Sequence, residues 1–237
     1  MRSPGLRGSE AGRADRRAAP GNCNCRDDMG LRDKAMSGAA YDAWFKGATF
    51  TTDWTTAHFA TWEAILRNRR ERVVDALEVG TWEGRSAIFW LNYFPACRVT
   101  CIDTFGGSAE HHAAFPDRLA TIERHFDANV APYGARVEKI KVHSRDALSL
   151  LGVMGRRFDF VYLDGSHRAA DVYADACLAW SMVRPGGVLL FDDYTWVDMP
   201  DEMDRPKIGI DAFLQSAAGS FRELDRGLQV LIEKTAG

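Results

Sequence analysis

The sequence predicts an α/β protein built on a doubly wound, mostly parallel sheet. Three observations carry that prediction. Apolar, β-branched runs alternate with amphipathic stretches from residue 73 to residue 191, as expected for strands joined by crossover helices. The first run ends in Glu78-Val79-Gly80, and Gly84 follows with a helical stretch directly behind it. Acids then recur at strand ends, at Asp103, Asp164 and Asp192-Asp193, which is where ligands meet a sheet of this kind.

The elements follow in order. Residues 1–35 hold eight Lys/Arg, five Asp/Glu and almost no large apolar side chain. Such a segment buries too little surface to offset its ordering entropy, so a disordered tail is expected. An Arg-rich presequence, or a start placed upstream of Met29 or Met36, would fit the same composition. Residues 36–70 are read as an N-terminal helical segment that serves as a lid or substrate wall. A short helix is expected over 39–46 and a longer one over 55–70, with Phe59, Trp62, Ile65 and Leu66 on one face and Asp53 or Thr55 as cap. Residues 71–237 are expected to form the main domain. Strands are predicted at 73–79, 98–103, 136–142, 158–163 and 187–191, with helices at 85–93, 117–129, 146–152 and 168–182 between them. A loop is expected at 105–116, another at 194–206, and a helix at 208–217. Two last strands, 220–225 and 227–232, are predicted to meet at Arg226-Gly227 as an antiparallel pair.

Composition sets limits on function. The chain has 237 residues, a net charge of −3 and 46% hydrophobic residues, so one ordinary globular domain with an appendage is expected. Nothing in the charge favours nucleic acid, and no apolar run is long enough for a membrane span. Five cysteines without C-x-x-C spacing read as reduced thiols in a cytoplasmic protein. The sequence leaves homo-oligomerisation open.

The turn after the first strand has the pattern E-x-G-x-x-x-G, not the dinucleotide pattern G-x-G-x-x-G. Its acid disfavours a pyrophosphate and favours a ligand with a cationic end. Glu78-Val-Gly80-Thr-Trp-Glu-Gly84 resembles the first motif of the class I S-adenosylmethionine (SAM)-dependent methyltransferases. Three further segments match in order: Val99-Thr-Cys-Ile-Asp103, Ser144-Arg-Asp146-Ala147-Leu148, and Phe158 to His167 followed by Arg184-Pro-Gly-Gly and Asp192-Asp193-Tyr194. The resemblance covers about residues 55–232. It implies a seven-stranded, Rossmann-like sheet of order 3-2-1-4-5-7-6 with the last strand antiparallel. It also implies a SAM site formed by Glu78, Gly80, Thr81, Trp82, Gly84, Ser86, Asp103, Thr104, Asp146, Ala147 and Asp164. In it Asp103 takes the ribose hydroxyls, Asp146 the adenine amino group, and Glu78 the loop and the ligand's amino group. Asp146 could also cap its helix.

On neighbouring strands, Asp164 and Asp192 converge, and close carboxylates repel unless a proton or cation lies between them. An all-oxygen cluster suits Mg²⁺ or Ca²⁺ rather than zinc. The spacing resembles the metal-dependent catechol-type and macrolide-sugar O-methyltransferases, which implies a divalent ion (Mg²⁺, Ca²⁺ or Mn²⁺) on Asp164, Asp192 and Asp193. The catechol-type enzymes have Asn at the position of Asp193 and a lysine base at that of His167. Here an imidazole would serve as base, with Asp164 beside it. His111-His112 is not a metal motif, because adjacent side chains diverge; its loop is read as a cover or substrate wall. Trp54, Trp82, Tyr194 and Trp196 are expected to line the pocket, and Trp62 to be core. The expected function is methyl transfer from SAM to a hydroxyl of a small molecule. The alternatives are a metal-independent methyltransferase acting on another atom and a non-catalytic SAM-binding module, which would need none of Asp164, His167 or Asp192-Asp193.

Overall fold

The computed structural model describes residues 38–114, 116–199 and 201–235; the tail expected over 1–35 lies outside them. The chain order is α1 (Gly38–Trp44), α2 (Phe59–Leu66), β1 (Asp75–Val79), α3 (Arg85–Tyr93), β2 (Arg98–Ile102), α4 (Ala109–Ala114), α5 (Pro116–Val130) and β3 (Val137–Ile140). Then come α6 (Ser144–Val153), β4 (Phe158–Leu163), α7 (Ala169–Met182), β5 (Val183–Phe191), α8 (Pro206–Ser216), β6 (Phe221–Arg226) and β7 (Val230–Lys234). The sheet order is β3-β2-β1-β4-β5-β7-β6, and β7 runs antiparallel to both its neighbours. Both features match the expectation.

The sheet buries both faces. On one side, α1, α2, α3 and α5 pack an aromatic-rich core of Phe59, Trp62, Phe89, Trp90, Phe126 and Tyr162. Trp62 lies 4.4 Å from Trp90 and Phe59 lies 4.5 Å from Phe89, ring centre to ring centre. Trp62 is core, as expected, and its indole donates to Gln229 Oε1 at 2.6 Å. Asp53 caps the second helical segment by accepting from Thr56 N at 3.0 Å. That segment is a 3-10 turn at Thr56–His58, then α2, then a second 3-10 turn at Arg67–Arg69. On the other side, α6, α7 and α8 cover Leu77, Val161, Leu189, Phe191 and Phe213.

Several boundaries shift by one or two residues from the sequence reading, and four larger differences each have a local reason. The loop expected at 105–116 contains the short helix α4. Strand β3 is shorter than expected because an edge strand has a partner on one side only. Strand β5 begins at Val183, and its pairing jumps from Phe158↔Val183 to Phe160↔Val188, so Arg184-Pro-Gly-Gly is a bulge inside the strand. The last hairpin turns over Gly227 to Gln229, closed by Gly227 N–H to Gln229 O at 2.9 Å. This moves β7 three residues later than expected and sends Gln229 inward to Trp62.

Candidate active site

The strands place the site by their register. Val79 pairs with both Ile102 and Leu163, and Leu163 pairs with Phe191. Each ladder continues one residue past the strand: Gly80 N–H to Ile102 O (2.9 Å), Asp103 N–H to Ile140 O (3.2 Å), Asp164 N–H to Val79 O (2.8 Å) and Asp192 N–H to Leu163 O (3.0 Å). Gly80, Asp103, Asp164 and Asp192 therefore stand side by side on the carboxyl edge. Three non-glycine residues with positive φ lie on the same edge: Trp82 (48°), Phe105 (55°) and Asp193 (57°). Backbone in this region costs about 1–3 kcal/mol per residue and concentrates at functional sites.

The glycines of the first turn serve the protein's own packing. At Gly80, with φ of 81°, a Cβ would lie 1.8 Å from the carbonyl oxygen of Asp164. At Gly84, also at 81°, it would press on Phe126 at 3.0 Å. Both therefore let β4 and α5 close on the loop.

Asp103 is engaged more heavily than a ribose acceptor alone would be. Its Oδ2 accepts from Thr81 N and Trp82 N, both at 2.8 Å, and its Oδ1 accepts from Phe105 N at 2.6 Å. It thus shapes the glycine loop and the next loop together. Asp103→Ala is expected to lower the melting temperature as well as the affinity for S-adenosylhomocysteine (SAH), since each charge-assisted bond is worth about 1.5–3 kcal/mol. Calorimetry together with a thermal melt checks this; full stability with weak binding would make the residue a ligand contact only. Thr104 turns back to accept from Gly106 N at 3.2 Å.

Glu78 is fully buried, and its carboxylate accepts from the Ser86 hydroxyl. Its Oε2 is buried with no hydrogen-bond partner among the described residues, an orphan acceptor suited to a ligand's ammonium. Burial pushes its pKa up to about 8, opposed by the Ser86 bond and assisted by the Asp103 charge. The sign follows from linkage. The neutral form contributes its full stability below the usual value of 4.5, and that contribution is lost as pH rises through about 8. Glu78→Gln is therefore expected to gain stability relative to the unsubstituted protein between pH 5 and 8, by about 1.4 kcal/mol per pH unit at most. Urea melts with parallel pH profiles for the two proteins would refute it.

Asp146 does not cap α6: the helix opens at His143, and Asp146 is exposed in its first turn, where its charge meets the helix dipole. Ala147 beside it is buried.

The carboxylate corner is arranged around a residue that the sequence reading missed. Tyr162 is fully buried, and its hydroxyl lies 3.0 Å from Asp164 Oδ2 and also bonds Asp192 Oδ2. One hydroxyl carries one proton, so it satisfies one carboxylate at a time. Burial first, and the mutual repulsion of Asp164, Asp192 and Asp193 second, push the Asp164 carboxyl well above the usual range; Asp192 is raised by burial and by Asp193. A proton or a cation between the carboxylates relieves both costs, so the donor set fits a hard divalent ion. One ligand atom each from Asp164, His167 and Asp193 lies within 4.8 Å of the others. His167 Nε2 is 3.0 Å from Asp193 Oδ2. Of the three aspartates expected to hold an ion, Asp192 stands apart from this group. Its oxygens meet Tyr162 and the Asp193 amide, the latter at 2.8 Å. A tyrosine two residues before Asp164, near the carboxyl end of its strand, was the available clue, because residues i and i+2 share a face.

Aromatic side chains form a row beside this corner. Trp54 lies 5.5 Å from both Trp82 and His111, Trp82 lies 4.5 Å from His111, and His167 lies 6.3 Å from His111 and 4.5 Å from Trp196. Trp54, Trp82 and Trp196 stand where a pocket wall was expected. Tyr194 does not: it is buried, and its hydroxyl meets Asp211, Lys207 and Arg226 at 2.7–2.9 Å, away from the row.

Comparison with known proteins agrees with the fold. Residues 77–194 match the family model described as a methyltransferase domain. The match and the strand order give these residues the class I methyltransferase fold. An uncharacterized protein of Acanthamoeba polyphaga mimivirus is 25% identical over 142 residues, 58% of this chain and 59% of its own. MycE methyltransferase from the mycinamycin biosynthetic pathway, solved with Mg and SAH, superposes with a TM-score of 0.56 at 19% identity, over 83% of this chain and 54% of its own. An O-methyltransferase from Bacillus cereus, solved with SAH, gives 0.59 at 17% identity, over 84% of this chain and 92% of its own. The chain thus spans little more than half the length of the first two, and the structural likenesses establish the fold. No helix among the described residues is long and apolar enough to cross a membrane.

Proposed function

We propose that the protein transfers a methyl group from SAM to a hydroxyl of a small molecule, with a divalent ion at the carboxylate corner. The observation that carries this reading is the placement of Asp164, His167 and Asp193 within 4.8 Å of one another, on the edge that also bears the glycine loop. Glu78, Gly80, Thr81, Trp82, Gly84, Ser86, Asp103, Thr104, Asp146, Ala147 and Asp164 form the cofactor side. The orphan oxygen of Glu78 receives the cofactor's ammonium.

Asp164 and Asp193 would hold the ion, with Asp192 beside them on the Tyr162 hydroxyl. The ion, when bound, lowers the acceptor's pKa and fixes its direction. The remaining work falls to the chain. The aromatic row confines the acceptor, and the loops around it exclude water. Aligning an oxygen behind the methyl group can supply ~7–11 kcal/mol. The oxygen–carbon bond forms as the sulfur–carbon bond breaks, SAH is released, and His167 takes the hydroxyl proton. Asp193 at 3.0 Å favours the imidazolium so formed.

MycE was solved with Mg and SAH, and TomG of Streptomyces achromogenes, a structural relative at 21% identity, is an O-methyltransferase; both lend support by analogy. One specific observation favours a second reading. The His167–Asp193 contact is also what a metal-independent enzyme needs, with an imidazole base oriented by a carboxylate. SAH release from SAM, measured over a panel of catechols and sugars with and without EDTA, tests both. Activity lost in EDTA and restored by Mg²⁺ supports the first. Activity unchanged in EDTA supports the second, and no SAH with any hydroxyl of the panel counts against the first.

A further inference from the structure

The segment between α1 and α2 has no helix or strand over residues 48–53, yet it is tied down at several points. Glu83, in the glycine loop, is 1% exposed. Its carboxylate accepts from Thr51 N at 2.6 Å and from Thr51 Oγ1 at 3.1 Å, and it contacts His125 Nδ1 at 2.7 Å. Asn129 on α5 brackets Thr49: its Oδ1 accepts from Thr49 N at 2.8 Å, and its Nδ2 donates to Thr49 O at 2.9 Å. The same Nδ2 donates to Glu83 O at 2.9 Å. Arg85 reaches Asp53 at 3.0 Å and Thr56 Oγ1 at 2.6 Å, and its guanidinium lies over Phe45 and Phe50.

A buried carboxylate that accepts from the backbone amide and the hydroxyl of one residue in a distant irregular segment is costly to place unless the segment's position matters. The next residue in that segment is Trp54. It is 49% exposed and stands against Trp82 and His111, at the outer end of the row that leads to His167.

We propose that residues 48–55 form a strap whose Trp54 is the outer wall of the acceptor site, and that Glu83 is the positioning residue that holds it there. The proposal rests on the acceptor reading above. It gives the glycine loop two faces. Thr81 and Trp82 offer their amides to Asp103 on the cofactor side, and the next residue, Glu83, fixes the acceptor wall. Asn129 and His125 complete the clamp from α5.

The test uses the full chain, with SAH as cofactor probe and 3,4-dihydroxybenzoate as hydroxyl probe. In Glu83→Gln and in Asn129→Ala, amide exchange of the 48–55 peptide should speed up about fivefold or more, as expected for loss of one or two hydrogen bonds. SAH affinity should move by less than about threefold, because neither change removes a group proposed to touch the cofactor. Trp54→Ala should raise the probe's KM about tenfold with kcat little changed, and Trp54→Phe should recover most of that loss. Unchanged strap exchange in both clamp variants would overturn the proposal, as would SAH affinity falling in step with exchange. If Glu83→Gln does not fold, Asn129→Ala alone decides, since it leaves the glycine loop's own side chains in place. A fall in kcat at constant KM in Trp54→Ala overturns the wall assignment. An intact protein that leaves the probe unmethylated counts against the acceptor reading instead, while the exchange and SAH measurements still decide the clamp.

Discussion

Asp164→Asn is expected to lower methyl transfer by ~10²–10⁴-fold, the range typical for losing a group that organises acid–base or metal-assisted chemistry. The fold should survive, because the substitution keeps the shape of the side chain and the Asp164 N–H to Val79 O bond that anchors it. Stability should hold or rise. The Asp164 carboxyl is pushed up by burial and by its neighbours Asp192 and Asp193. A group raised in this way stabilises while neutral, and its contribution is lost as pH rises through the folded value. The neutral amide does not suffer that loss, so the variant should melt at or above the temperature of the unsubstituted protein, and more clearly so at alkaline pH. SAH affinity should change little, since most of the proposed cofactor contacts lie on β1, β2 and the glycine loop. His167→Ala should slow turnover over a similar range with the ion's affinity less affected. Turnover assays beside thermal melts check the pair. An Asp164→Asn protein as active as the parent would remove the carboxylate corner from the mechanism.

Gly80→Ala is expected to be the most destabilising single change on the site edge. Two costs coincide there. The backbone φ of 81° disfavours any side chain, and the new Cβ would lie 1.8 Å from the Asp164 carbonyl oxygen and 2.7 Å from Gly165 Cα. Neither neighbour is a flexible side-chain tip; both are backbone at the end of a central strand. Overpacking of this kind costs about 1–3 kcal/mol or more, on top of about 1–2 kcal/mol for the left-handed backbone. Gly47→Ala isolates the second term: φ is 88° and nothing lies within 4 Å of the added carbon. The difference between the two variants in urea melts should be about 2 kcal/mol or more. Equal costs would show that β4 yields to the intrusion.

Much of the fold was legible because it depends on local chemistry. The 2- and 3.6-residue periods, the acids at strand ends and the Asp53 cap involve residues near in sequence. Helix α3 and strand β4 fall at the predicted bounds, 85–93 and 158–163. Boundaries moved where pairing decided them, as at the β5 bulge and the last hairpin, because a ladder's register depends on the partner strand.

The chain's residue types and their spacing were enough to determine a parallel sheet with carboxylates along its carboxyl edge and a glycine loop at its first strand. They also determined that three aspartates and a histidine would come near one another, since adjacent strands are only about 4.8 Å apart. Only the tertiary structure decided which oxygens meet which protons. Asp103 turned out to hold three loop amides, Asp192 to face Tyr162, Tyr194 to leave the pocket, and Glu83 to pin residues more than 30 positions away in the chain. The physical reason is one of range. Strand ends follow from short-range periodicity, whereas a side chain's direction is set by the lowest-cost set of burial and hydrogen-bond partners that packing brings within about 3 Å.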